Sequence, residues 1–123
     1  MNIQIFGFHD CQDTRKAQRF FAERRIAVHF VDLDERPASK GELRRFAKRF
    51  GPAAVIDKES ATYVAMGLRV ALDSPQRLLE RALTAPRLLR TPLIRNGAKV
   101  TIGHTPEEWQ AWVDAEKCKR STG

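Results

Sequence analysis

Cys11 stands where a strand hands over to a helix, and that placement is chemically useful. The stretch Ile3-Gln4-Ile5-Phe6-Gly7-Phe8-His9-Asp10-Cys11-Gln12-Asp13-Thr14-Arg15-Lys16 begins as an apolar/polar alternation, the pattern of a strand. Gly7 then gives the backbone the freedom that a tight loop needs. A basic, helix-compatible run follows Cys11. A cysteine there sits at the positive end of the helix dipole, whose field favours thiolate over thiol, and Arg15 and Lys16 one turn on add to that field. Thiolate is the nucleophilic form, so this is a way to build a reactive cysteine. The alternative is an inert cysteine buried for packing. The polar neighbours Asp10, Gln12 and Asp13 argue for the reactive reading, although the negative charge of the two aspartates opposes a thiolate.

The rest of the chain must position that thiol. A first helix is expected over about Thr14 to Arg24, with Ala17, Phe20 and Phe21 on its apolar face. A second strand, Ala27 to Leu33, completes a right-handed strand-helix-strand crossover, with His29 on its polar side as a surface residue. Ser39 and Glu42 form a capping box for a helix over Lys40 to Phe50, with Leu43, Phe46, Ala47 and Phe50 buried and Gly51-Pro52 as the stop. Residues 53–57 are too short to classify. A short helix is read over Lys58 to Gly67, with Tyr63 and Met66 inward, and another from Asp73-Ser74-Pro75 to about Thr84, burying Leu78, Leu79, Ala82 and Leu83. Asn96-Gly97 is a hairpin signal, pairing Leu93-Ile94 with Val100-Thr101-Ile102. Thr105-Pro106-Glu107-Glu108 supplies an N-cap, a first-position proline and early acids for a last helix that buries Trp109, Trp112 and Val113. Residues 117–123, with Cys118, read as a flexible tail.

Composition bounds the function. The chain has 123 residues, enough for one domain with a real core, and its 42% hydrophobic and 30% charged content is that of a soluble protein. No apolar run is long enough to span a membrane. The start lacks the pattern of a secretory leader and the chain has only two cysteines, so a disulfide framework is not expected and the cytoplasm is the default compartment. The formal net charge of +7 raises the question of a polyanion partner. The basic residues are spread over several helices rather than interleaved with aromatics in one block, which argues for a solvated arginine-rich surface and against a nucleic-acid groove. No metal-ligand cluster and no resident cofactor are read from the sequence.

The element order is β-α-β, a helical insert over about 38–85, then β-β-α. With a cysteine after the first strand and a proline entering the third, this is an α/β, thioredoxin-like plan with a mixed four-stranded sheet over 1–123. Three segments carry a more specific likeness: Phe6 to Lys16, Pro86-Arg87-Leu88-Leu89-Arg90-Thr91-Pro92-Leu93-Ile94, and Ile102-Gly103-His104-Thr105-Pro106-Glu107-Glu108. In that order and at those separations the chain resembles the arsenate reductase-like family, which also contains the Spx-type transcription regulators. The likeness covers nearly the whole chain.

The resemblance implies a nucleophile at Cys11, with Thr14 at the Ser/Thr position of members that use one thiol and Arg15 as the basic residue that follows. It makes Pro92 a cis-proline facing the cysteine, and gathers His9, Arg90, Thr91 and Pro92 as the oxyanion-binding set. Three positions depart from the pattern. Family members carry an arginine immediately before the cis-proline, where Thr91 stands here. A further arginine is expected near Tyr63, where Asp57 or Lys58 lies, and His104 occupies the place of a third. Arginine's planar fork grips an oxyanion at two points, and these residues do not reproduce it.

Three functions follow. The leading one is a thiol-redox protein that uses Cys11 in a mixed-disulfide step, coupled to glutathione as co-substrate or to glutaredoxin, with arsenate reduction as one variant. The alternative is a non-enzymatic regulator or docking module, as Spx-type members dock on RNA polymerase. The third is a glutaredoxin-like protein that recognises glutathione. Fold alone does not choose among them.

Overall fold

The computed structural model describes residues 1–71 and 73–122, apart from the side chains of 71 and 118–122. Four strands, β1 (Ile3–Gly7), β2 (Val28–Asp32), β3 (Leu93–Asn96) and β4 (Lys99–Ile102), form one mixed sheet in the order β2-β1-β3-β4. β1 runs parallel to β2, with Ile3 opposite Val28, and antiparallel to β3, with Phe6 opposite Leu93. β3 and β4 are an antiparallel hairpin. This is the α/β, thioredoxin-like arrangement expected from the element order. The hairpin's positive φ of 61° falls on Gly97, the first of two loop residues, so the Asn-Gly pair works as a II′-type turn with Asn96 still in the strand.

Strand alternation sends β1 side chains to two separate cores. Ile3 and Ile5, with Ile94 of β3, pack on Ala17 and Phe21 of α1 (Gln12–Glu23) and on Trp109, Trp112 and Val113 of α6 (Pro106–Thr122). Phe6, with Leu93 of β3, packs on the opposite side against the insert between β2 and β3. That insert supplies Leu43 and Phe46 of α2 (Lys40–Phe50), Tyr63 of α3 (Ala61–Ala65), Leu68 of α4 (Leu68–Ala71), and Leu78 and Ala82 of α5 (Pro75–Ala82). Each large apolar side chain so buried contributes about 1.5–3 kcal/mol. Serines start three of the four insert helices, α2, α3 and α5. Ser39 and Glu42 exchange both bonds of a capping box at 2.9 and 3.1 Å, and Ser60 and Ser74 accept from the amides of Tyr63 and Arg77.

Some local expectations are corrected. Phe50 and Met66 are each 40% exposed rather than buried. Phe50 is the last residue of α2, and Gly51 turns the chain away behind it with φ 90°. Met66 closes α3, a helix of five residues, so the helical period that buries Tyr63 does not reach it. Gly67 stops α3 as expected, but α4 starts immediately after it and buries Leu68. The Thr105 hydroxyl is buried without a hydrogen-bond partner, so only the Thr105 carbonyl engages α6, accepting from the amides of Glu108 and Trp109. The backbone of α6 continues through Thr122, where the sequence reads a tail; the side chain of Cys118 lies outside the described residues. Among the described residues no helix is long and apolar enough to cross a membrane.

Candidate active site

Two backbone segments meet at Cys11. From β1, the turn 8–10 closes with the Cys11 amide donating to the Phe8 carbonyl at 3.1 Å. Cys11 is then the extended N-cap residue of α1, and its carbonyl accepts from the Arg15 amide at 3.1 Å. Its side chain makes no capping bond, so the sulfur is not spent on the helix. The amides of Gln12, Asp13 and Thr14 open the helix without intrahelical acceptors. Cys11 carries a free, half-buried thiol.

The second segment is the cis peptide Thr91–Pro92, held by the Gly103 amide, which donates to the Pro92 carbonyl at 2.8 Å. The Thr91 hydroxyl donates to Cys11 Sγ at 3.1 Å, and the Thr91 carbonyl lies 3.9 Å from the same sulfur. The hydroxyl is thus placed to donate to the sulfur, and the thiol to donate weakly to the carbonyl. Between the two segments opens a cleft of about 230 Å³ lined by Phe8, Asp10, Cys11, Asp57, Ser60, Arg87, Leu89 and Thr91, among others. Asp57 reaches it because Ile56 forms an antiparallel bridge with Leu89.

Arg87 is the arginine of this cleft. Its Nη1 donates to both carboxylate oxygens of Asp10, at 2.9 and 3.1 Å. Its Nε and Nη2 donate to the two oxygens of Asp34, at 3.1 and 2.5 Å. The guanidinium also lies over the Phe8 ring, 4.0 Å from its centroid. The bond to Asp34 raises the Arg87 pKa above its ordinary value; burial, the next largest effect, opposes it, and the bond to Asp10 and the attraction of both carboxylates add to the rise.

The model of the ArsC family matches residues 6–112, which spans both segments of the cleft. The chain belongs to the ArsC family. Among its relatives, the global transcriptional regulator Spx 2 of Oceanobacillus iheyensis is 26% identical over 110 residues, covering 88% of this chain and 81% of that protein. The uncharacterised protein YusI of Bacillus subtilis is 24% identical over 114 residues, covering 89% and 97%. Among solved structures, a protein named YffB superposes with a TM-score of 0.81 at 21% identity, covering 89% of this chain and 97% of that one. An arsenate reductase from Vibrio cholerae superposes with a TM-score of 0.75 at 21% identity, covering 88% and 94%. These structures share the fold.

Within this ArsC-family framework, the structure brings Cys11 and Thr91 together in the cleft, with Pro92 following Thr91 across the cis peptide, and leaves the other expected site residues outside it. Arg90 is exposed, its amide bound to the Val55 carbonyl at 2.8 Å. Successive residues of an extended segment face opposite ways, so Leu89 and Thr91 face the cleft and Arg90 does not. His9 is exposed, its Nε2 3.4 Å from Asp32 and its ring against Phe30. Arg15 is exposed on α1 and does not line the cleft. Thr14 is fully buried behind the cysteine: a Cβ on Gly7 would come within 2.6 Å of its Cγ2, and its hydroxyl has no hydrogen-bond partner. His104 is exposed and meets Trp109 edge-on.

Sequence reasoning assigns no role to Arg87 or Asp34, and treats Asp57 only as standing where an arginine is expected. Arg87 lies within the second family segment, but nothing in local spacing signals its partners, which are 53 and 77 positions away. Among the described residues, no group of three or more His, Cys, Asp or Glu side chains is placed to hold a metal ion.

Proposed function

We propose that the chain, acting as one domain over 1–123, is a thiol-redox protein whose nucleophile is Cys11. The observation that carries this reading is the Thr91 hydroxyl 3.1 Å from a sulfur that opens into a cleft at a helix N-terminus. The Cys11 thiolate attacks one sulfur of a disulfide. The Cys11–sulfur bond forms as the original S–S bond breaks, the leaving thiolate takes a proton from water, and Cys11 becomes the oxidised half of a mixed disulfide. Glutathione and glutaredoxin are the partners to test, since the family likeness implies them. Arsenate is disfavoured because Thr91 stands where an arginine is expected. The test incubates the reduced protein with oxidised glutathione and, separately, with the neutral disulfide of 2-mercaptoethanol, and maps adducts by mass spectrometry. A single adduct on Cys11, absent from Cys11→Ser, is expected. No Cys11 adduct with either reagent sinks the reading.

A second reading, a docking module, draws on a different feature. An apolar groove of about 470 Å³ runs between α2 and α5, floored by Leu43, Ala47, Leu79 and Leu83. Lys40, Arg44 and Lys48 recur every fourth residue along its rim and form no ion pair among the described residues. An acidic amphipathic segment of a partner protein complements both its apolar floor and its charge. Fluorescence anisotropy with a labelled acidic amphipathic helix should show binding by the unmodified protein and Cys11→Ser alike, and its loss in K40E/R44E/K48E. Equal binding by the triple variant excludes the groove.

A further inference from the structure

The Cys11 cleft holds an arginine that is already occupied. Arg87 spends four hydrogen bonds on Asp10 and Asp34, so one cation faces two carboxylates and the set carries a net negative charge. Asp57, on the cleft wall, adds another carboxylate; its Oδ1 accepts from the Glu59 amide, and it makes no ion pair with Arg87. An anion entering beside Cys11 would meet helix amides that suit it and, next to them, carboxylates that repel it.

We propose that Asp10 and Asp34 are specificity-determining residues of the Cys11 cleft: by clamping Arg87 they close an oxyanion subsite that the arginine would otherwise form. This deepens the thiol-redox reading by excluding multiply charged oxyanions from the nucleophile. Three observations converge on it. Arg87 and Cys11 line the same cleft. Asp10, which takes the Nη1 donors, is the immediate neighbour of the nucleophile. The Arg87 guanidinium carbon lies 4.0 Å from the centroid of the Phe8 ring, a cation–π contact that involves neither aspartate. Freed of its carboxylates, the planar fork matches a tetrahedral oxyanion at two points.

The test uses inorganic phosphate and arsenate as probes of the unmodified protein and D10N/D34N, which keeps side-chain size while removing both charges. Titration calorimetry reads the affinity directly. Protection of Cys11 from iodoacetamide reads whether the anion sits beside the sulfur. The variant should bind phosphate about tenfold more tightly than the unmodified protein, as expected for a regained charge-assisted contact, and the gain should vanish in D10N/D34N/R87Q. Thermal unfolding confirms that each variant is folded, and D34N alone, which removes one carboxylate charge and one of the two acceptors that face Nε and Nη2, gives an intermediate gain if the double variant does not fold. Equal affinity in unmodified and variant proteins, or a gain that persists without Arg87, overturns the proposal. If Cys11 fails to react with iodoacetamide, the thiol reading fails while calorimetry still decides the clamp.

Discussion

Thr91 Oγ1 lies 3.1 Å from Cys11 Sγ although 80 positions of chain separate the two residues. The contact exists because β1 and β3 are neighbours in the sheet: β1 delivers Cys11 through the turn 8–10, and the cis peptide delivers Thr91 at the entry to β3. Removing the donor by Thr91→Val should slow mixed-disulfide formation at Cys11 about tenfold, the effect of one hydrogen bond to a charged group. Thr91→Ser, which keeps the hydroxyl, should retain most of the rate. Stopped-flow or mass-spectrometric rates with a neutral disulfide measure this. An unchanged rate in Thr91→Val would remove the hydroxyl from the mechanism.

Arsenate turnover is expected to be weak. Reduction requires a thiolate to attack an oxyanion of the same sign, and donors placed for that charge are usually the largest catalytic contribution. The unmodified protein should show little or no Cys11-dependent NADPH oxidation with arsenate, glutathione, glutaredoxin and glutathione reductase. Thr91→Arg should raise anion affinity by restoring a cation beside Pro92. Robust turnover by the unmodified protein, lost in Cys11→Ser, would make it an arsenate reductase instead.

Thr14 and Gly7 form a packing pair behind the nucleophile. Gly7→Ala should destabilise the fold by about 1–3 kcal/mol, because the new methyl drives into a side chain with no room to move. Thr14→Val removes a buried hydroxyl that has no partner and keeps its shape. It should leave stability unchanged or raise it, and leave Cys11 reactivity intact. Denaturant titration measures the first two effects. A large loss of reactivity in folded Thr14→Val would return Thr14 to the reactive set.

In the core shared by α1 and α6, the Trp109 indole donates to Thr101 Oγ1 at 3.0 Å, with both residues buried. Thr101→Val leaves that N–H unpaired in the core and should cost about 1–3 kcal/mol. Thr101→Ser, which keeps the acceptor, should cost less. Equal losses in the two variants would show that the methyl group, not the hydrogen bond, matters there.

The parts of this protein legible in its sequence are those written in local pattern. The capping box at Ser39, the hairpin at Asn96-Gly97 and the strand-to-helix placement of Cys11 each depend on residues within a few positions of one another. Pro92 was legible through family likeness. The family likeness points to Arg90 and not to Arg87, because the choice depends on which way an extended segment faces, and the Arg90 amide bond to Val55 is a tertiary fact. The Arg87 clamp joins three segments distant in sequence, so no window along the chain contains it. Phe50 and Met66 read as inward-facing in the sequence because a periodic pattern does not announce where a helix ends.

Cys11 is governed by two halves of the molecule at once. Its backbone begins α1, which is anchored through Ala17 and Phe21 in the core shared with α6, while its side chain rests against the other core, built by the insert. The position of the thiol and the surroundings of the thiol are therefore separately adjustable. Changes around Phe21 and Trp109 shift where the sulfur is held; changes around Tyr63 and Leu89 alter what it meets. A lineage can retune the reagent that reaches this cysteine by rebuilding the insert, without disturbing the helix that presents it.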